Sequence, residues 1–289
     1  LTASVQEHYG AAGIAARILA AVPWSRDADP ALRAEQLFPF DQLHGRELIA
    51  TREHAARLNP ARTAHLLDIG SGVGGPARYF ASTFGCRVTG VDLTSDFVAA
   101  SQELGDLCGL GDLLTFVEAD AGRIPFGDDT FDHAYSFYVG MNLTDKPAVL
   151  RECARVLKPG GRLLWTEVTE VAGEAHYPLP WSRTKEGSHV RTRETLIGQF
   201  PSAGFKLLSV EDETAAHLDL VMQVKASGRV PSPGLTQANA VVLGADFAER
   251  RANYIRGLGE GLFASTLIDA RTRAPSSYSQ LLEPVPQLS

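Results

Sequence analysis

The sequence predicts an α/β fold built on a parallel sheet, and three observations carry that expectation. From His65 to about Val168, strand-like and helix-like segments alternate, as crossover helices between parallel strands require. The run LLDIGSGVGGPARYF, residues 66–80, passes from a short apolar strand through a glycine-dense turn into a helical pattern. A Rossmann-like fold presents a nucleotide at a strand's end in that way. Three successive strands also close on a carboxylate, at Asp68, Asp92 and Asp120.

The elements follow in order. Leu66–Ile69 is a first strand; Pro76 suits a helix's first turn, Ala77, Phe80, Ala81 and Phe84 recur at i, i+3, i+4 and i+7, and Gly85 stops the helix. Cys86–Val91 is a second strand, Thr94 or Ser95 caps a helix to about Leu107, and Leu114–Ala119 is a third strand. After a fourth strand, Phe131–Ser136, the residues Leu150, Cys153, Ala154 and Leu157 make one apolar helical stripe. KPGG, residues 158–161, then turns the chain at the helix's end, its paired glycines supplying positive φ, into a fifth strand, Arg162–Val168.

Beyond this the pattern loosens. Residues 171–187 carry prolines, Tyr177 and Trp181, and read as a loop over a pocket. Thr192 caps a helix to Gln199, Phe205–Val210 is a sixth strand, and 213–258 holds at least two helical stretches interrupted at GRVPSPG. Leu262–Arg271 offers a last strand, and residues 1 to about 60 read as helical.

With 289 residues, 44% of them hydrophobic, the chain has ample material for a buried core. Its net charge of -7 opposes the basic face that nucleic acid or an anionic membrane needs, so the expected partner is a small-molecule acceptor. Cys86, Cys108 and Cys153 lack C-x-x-C spacing, which suggests neither a disulfide framework nor a zinc site and fits a reducing cytoplasm. Tyr9–Val22 is apolar but carries Arg17 and reads as a helix rather than a signal peptide, and no run approaches a membrane span.

The carboxylates decide between nucleotides better than the glycines do. Asp68, Asp92 and Asp120 converge on the carboxyl edge of the sheet, where open α/β folds bind ligands. A dinucleotide would bring a diphosphate to the turn, and Asp68 would repel it in a low-dielectric site. S-adenosylmethionine (SAM) brings an ammonium and a sulfonium instead, with only a carboxylate for the backbone N–H groups to hold. Gly70 and Gly72 then admit its methionyl and ribose parts, Asp92 accepts the ribose hydroxyls, Asp120 accepts the adenine amino group, and Leu93 and Ala121 pack on the adenine faces.

LLDIGSGVGGPARYFA, VTGVDL, VEADAGRIPFGDDTFDHAYS and LRECARVLKPGGRLLWTEV, in that order over about 64–169, resemble the class I SAM-dependent methyltransferases of the small-molecule, UbiE-like (methyltransferase type 11) group. The resemblance implies a seven-stranded, mostly parallel sheet with an antiparallel last strand, SAM as cofactor and S-adenosylhomocysteine as product. It implies an organisation into an N-terminal helical lid (1–60), a SAM-binding core (61–212), an inserted helical cap (213–260), and the last strand with a tail (261–289). It places Tyr9 of EHYG across the methionyl end, Phe137 and Tyr138 on the cofactor after the fourth strand, and His44 of FDQLHGRE over SAM. Ser71 stands where many relatives have cysteine, a swap that keeps a small cofactor-binding residue. Asn142 stands where relatives often carry a histidine, so no base is carried over from that position.

Methyl transfer needs an aligned nucleophile and a dry site; a hydroxyl or an enolisable carbon also needs a base. His44 is the candidate base, its other reading being a cofactor-covering polar group. Trp24, Phe38, Phe40, Tyr177 and Trp181 fall in lid segments and suit an apolar or aromatic acceptor, with Tyr177 and Trp181 the substrate candidates; their other reading is the lid's own core. No acidic cluster suggests a metal. The expectation is methyl transfer to carbon, nitrogen or oxygen of a small metabolite. The alternatives are a SAM-binding fold that cyclises or isomerises its substrate, an NAD-linked oxidoreductase, and a non-catalytic SAM-binding module. The N-terminal helix and the cap are the surfaces expected to carry any homo-oligomer.

Overall fold

The computed structural model describes residues 13–27, 29–226 and 240–273. Tyr9 lies outside the described residues. Among these residues one mixed sheet forms from β1 (His65–Ile69), β2 (Arg87–Asp92), β3 (Leu114–Glu118), β4 (Phe131–Phe137), β5 (Leu157–Glu170), β6 (Arg191–Thr192), β7 (Phe205–Asp212) and β8 (Phe263–Thr272). The strand order is β3-β2-β1-β4-β5-β8-β7, with the short β6 beside β5. β1 to β5 pair in parallel, and β8 runs antiparallel to both β5 and β7. The expected seven-strand path with an antiparallel last strand is therefore present, and β6 adds to it.

The helices are α1 (Ile14–Ala21), α2 (Ala34–Asp41), α3 (Glu47–Leu58), α4 (Gly75–Phe84), α5 (Ser95–Leu107), α6 (Lys146–Val156), α7 (Arg193–Ser202), α8 (Thr214–Ala226) and α9 (Phe247–Gly259). Leu66, Leu67 and Ile69 of β1 are fully buried, as a central strand covered on both faces must be. One apolar cluster gathers Leu67, Ile69, Val149, Leu150, Trp165 and Phe200, and a second gathers Leu66, Ala77, Phe80, Val88 and Tyr135. Ile14 and Ile18 of α1 join Phe97, Ala100 and Leu104 of α5 in a third cluster, which holds the N-terminal segment on the core.

One expected turn is different. α6 ends at Val156, and KPGG lies inside β5 as an irregularity: Phe131 pairs with Leu157 and His133 with Arg162, so the residues between them loop out of register. Gly160 alone of the pair has positive φ, 79°. Leu157 belongs to the strand rather than to the helical stripe.

The order of strands reverses between β1 and β4, because the chain leaves β1 toward β3 and returns on its other side. That switch point is where a crevice opens at the carboxyl edge of such sheets. α8 and α9, between β7 and β8, stand over it together with the segment that joins α2 to α3.

Candidate active site

The turn after β1 closes on itself. The N–H groups of Gly70 and Ser71 donate to the Val91 carbonyl at 2.8 and 3.1 Å, and that of Gly74 donates to Ser71 O at 2.9 Å. Gly72 N–H donates to Asp92 Oδ2 at 2.9 Å. These four amides have partners within the protein. Gly70, at φ 71°, is required by packing, since a Cβ there would overlap the Val139 side chain.

The three aspartates come together. Asp68, Asp92 and Asp120 line one cavity of about 960 Å³, with Gly70, Ser71, Gly72, Leu93, Ala121, Phe137 and Tyr138 also in its wall. That volume is at the upper end of the roughly 300–1,000 Å³ usual for small-molecule sites. Asp68 is 3% exposed, and its Oδ2 is buried with no hydrogen-bond partner among the described residues. Burial pushes its carboxyl up to about 8. Asp92 accepts from Gly72 N–H on Oδ2 and from Thr94 N–H on Oδ1, both at 2.9 Å, and the Thr94 side chain and the Leu93 N–H also hold its carboxyl. Asp120 is exposed at the rim, with Oδ1 accepting from Gly122 N–H at 2.8 Å.

The other half of the cavity is assembled from remote segments. Arg46 and Glu47 both have positive φ, 59° and 48°, a strained turn for non-glycine residues. Arg46 is held by Glu53 at 2.6 Å and by Glu213, just before α8, at 3.1 Å. His44 reaches the cavity wall, with Nδ1 3.1 Å from Gly45 O and Nε2 2.9 Å from Thr51 Oγ1; the neutral ring has one N–H and donates to only one of them. Thr51 in turn donates to Gln42 Oε1 at 2.6 Å. Burial pulls the His44 imidazole down to about 4. Tyr138, with φ 59°, stacks on His44 at 6.1 Å and shares a hydrogen bond with Ser265 Oγ at 2.5 Å.

Of the lid aromatics, Trp181 alone lines this cavity; it is 4% exposed, and its indole N–H donates to Ser188 Oγ at 2.9 Å. Tyr177, expected on the substrate, is absent from the wall and packs against the cluster of Val168, Leu179 and Phe263. Trp24 and Phe40 pack in the cluster around α1 and α5, and Phe38 packs on Tyr79. His176 pairs with Glu260 at the surface, whereas His189 and Asn142 do reach the cavity.

The cap brings residues that sequence reasoning missed. His217, Leu220, Val221 and Val224 of α8, and Phe247, Arg251 and Tyr254 of α9, all line the wall. Their spacings, i, i+3, i+4, i+7 and i, i+4, i+7, are the signal that could have found them.

A doubly wound sheet with an antiparallel strand between β5 and β7, and an acidic rim at its switch point, defines the class I methyltransferase fold. Residues 67–165 match the family model described as "Methyltransferase domain", so this part of the chain is a domain of that family. The O-methyltransferase resE of Aspergillus sclerotiorum is 33% identical over 130 residues, 45% of this chain and 48% of that protein. The O-methyltransferase cnsE of Penicillium expansum is 32% identical over 170 residues, 56% of this chain and 59% of that one. The matches span about half the length of these curated relatives. Among solved structures, geranyl diphosphate C-methyltransferase from Streptomyces coelicolor A3(2) superposes with a TM-score of 0.66 at 17% identity, covering 94% of this chain and 97% of that one. The [4+2]-cyclase SpnF superposes with a TM-score of 0.62 at 22% identity, covering 85% and 98%. Among the described residues, no helix is long and apolar enough to cross a membrane, and no cluster of metal-ligating side chains occurs.

Proposed function

We propose that this chain transfers the methyl group of SAM to a small, largely apolar metabolite. The observation that carries the reading is the buried carboxyl of Asp68, with only the Tyr135 hydroxyl beside it among the causes that lower its pKa, in a cavity shared with Asp92 and Asp120. A carboxyl so placed ionises when an ammonium sits beside it and gains that ion pair, which a diphosphate cannot offer; this also speaks against the NAD-linked alternative.

The residues fit SAM in these roles: Asp68 with the ligand ammonium, Asp92 with the ribose hydroxyls, Asp120 with the adenine amino group, Leu93 and Ala121 on the adenine faces. Gly70, Ser71 and Gly72 shape the turn rather than donate from it. Phe137 and Tyr138 close the methionyl end, and Trp181 walls the acceptor space. SAM supplies an electrophilic methyl on sulfonium. The chain's own contribution is alignment and exclusion of water by the cap and by the 44–47 turn. His44, bonded to the 45–51 segment and stacked on Tyr138, serves this reading better as a positioning group than as a base.

The test is mass spectrometry of the protein incubated with methyl-labelled SAM and an extract of small apolar metabolites. S-adenosylhomocysteine in a one-to-one ratio with a product heavier by one labelled methyl supports the proposal. A rearranged product of unchanged mass, with SAM intact, favours the cyclisation that the likeness to SpnF keeps in view.

A further inference from the structure

Three guanidiniums line the cavity, those of Arg46, Arg183 and Arg251. Two of them are already neutralised: Arg46 pairs with Glu53 and Glu213, and Arg183 pairs with Asp246. Arg251, half-buried on α9, has no ion pair and no hydrogen bond among the described residues. Its neighbour in sequence, Arg250, is spent on the protein itself, donating to the carbonyls of Pro180 and Leu243. Glu213 acts on the same two rings as Arg251, those of His217 and Tyr254, yet its carboxylate is taken up by Arg46 and His54.

A charge partly removed from water without a partner is costly, and a ligand group of opposite sign relieves that cost. A carboxylate suits a guanidinium because the two meet through a pair of parallel hydrogen bonds. The surroundings define the rest of the ligand. Phe247 stands one turn before Arg251 on α9, and Leu220, Val221 and Val224 line the same cavity from α8, so the walls of the cap half are largely apolar. A diphosphate would bring several negative charges against this single unpaired guanidinium, whereas a carboxylate brings one. The sheet half of the cavity carries Asp92 and Asp120 instead. An acid group is thus disfavoured there and favoured at the cap, and this fixes which way round an elongated molecule enters.

We infer that Arg251 is the binding site for the carboxylate of an amphipathic acid, whose apolar body rests on Leu220, Val221, Val224 and Phe247. This rests on the methyl-transfer reading above and narrows its acceptor to an apolar molecule with one acid group. Arg251 holds the molecule by that group and moves no proton. The atom that receives the methyl belongs to the part of the molecule turned toward the sheet.

The experiment is calorimetry on the full chain saturated with S-adenosylhomocysteine. The probes are 4-phenylbutanoate, 4-phenylbutanamide, which keeps the shape without the charge, and 3-phenylpropyl phosphate. At about pH 7, where the acid is ionised, the wild-type protein is expected to bind 4-phenylbutanoate at least tenfold more tightly than the amide. Arg251→Gln is expected to bind S-adenosylhomocysteine as the wild type does and to bind acid and amide alike. Arg251→Lys keeps the charge but not the planar fork and is expected to fall between the two, a partial rescue that a merely structural role would not give. Equal binding of acid and amide by the wild type, no binding of either, or an Arg251→Gln protein that keeps the preference overturns the inference. Tighter binding of the phosphate than of the carboxylate overturns the choice of a carboxylate. Failure of the wild type to bind S-adenosylhomocysteine overturns the methyl-transfer reading itself. The comparison of probes on wild-type protein needs no variant to fold.

Discussion

Arg78 and Asp41 form an ion pair at 3.0 Å with both side chains fully buried. The same guanidinium donates to the Val73 carbonyl at 2.6 Å, so one side chain ties the end of α2 to the turn after β1. Burial pushes the Asp41 carboxyl up, and Arg78 and Gln42 pull it back. The pair joins the N-terminal segment to the turn that shapes the cofactor half of the cavity.

Removing one partner of that pair leaves an uncompensated buried charge. Arg78→Ala or Asp41→Ala is expected to lower stability by about 3–5 kcal/mol, read as a fall in the urea midpoint with the slope retained. The doubly apolar Asp41→Leu with Arg78→Met is expected to lose much less. A single variant as stable as the wild type would show that the pair is not the tie described.

Asp92 lines the cavity with its carboxyl held in place by Gly72 N–H and Thr94 N–H. Asp92→Ala is expected to weaken SAM binding more than tenfold, about 1.4 kcal/mol or more, by calorimetry. Asp120→Ala, at the exposed rim, is expected to lose less. An unchanged affinity in the Asp92 variant would remove this residue from the cofactor site.

The alternating core was legible because each of its elements announces itself locally. The apolar run ending at Ile69, the i, i+3, i+4, i+7 stripe of α4 and the carboxylates after β1 to β3 are properties of short windows. What failed depended on partners far away in the chain. KPGG looks like a helix stop, but its neighbours pair with β4 across a bulge, and only that pairing turns Leu157 into a strand residue. The amides of Gly70 and Ser71 look available until β2 lies alongside with the Val91 carbonyl. Trp24, Phe38 and Phe40 on one side, and His217, Tyr254 and Phe247 on the other, show the same limit. An apolar stripe on a helix shows that one face is covered and leaves open whether core or ligand covers it. The first three are covered by the protein, and the second three line the cavity.

Asp68 makes cofactor binding a proton-linked event. Its folded pKa, about 8, lies above the ordinary aspartate value of 3.8, so the folded apo protein holds a proton that the unfolded chain releases. The stability linked to this proton is complete at pH below the unfolded value, declines as pH rises, and is gone once pH passes about 8. An ammonium placed beside the carboxyl favours its charged form and expels the proton. Calorimetry of S-adenosylhomocysteine binding at about pH 7, in two buffers of different ionisation enthalpy, is expected to show proton release by the wild type and none by Asp68→Asn. Equal release by both would mean that the proton comes from elsewhere.

Gly45 lies where the N-terminal segment, the end of β4 and the cap meet. A Cβ there would stand 2.7 Å from Tyr138 Cζ and Oη and 2.8 Å from His217 Cε1, closer than non-bonded carbon tolerates. Neither ring can swing away freely: Tyr138 is tied to Ser265, and His217 is packed edge-on against Tyr254. Overpacking of this kind costs about 1–3 kcal/mol, which a folded protein usually absorbs by shifting one of the elements in contact. The element with the least sheet pairing is α8, so the strain is expected to displace the cap and with it His217, Leu220 and Val221. Gly45→Ala should therefore fold, keep its affinity for SAM within about threefold, and give at least tenfold less labelled product from the metabolite extract. Of the contacts proposed for the cofactor, Tyr138 alone meets the added Cβ, and its hydrogen bond to Ser265 holds it in place. A variant that yields labelled product as the wild type does, or one that loses SAM binding and product in parallel, would contradict the division of the cavity into a half built by the sheet and a half built by the cap.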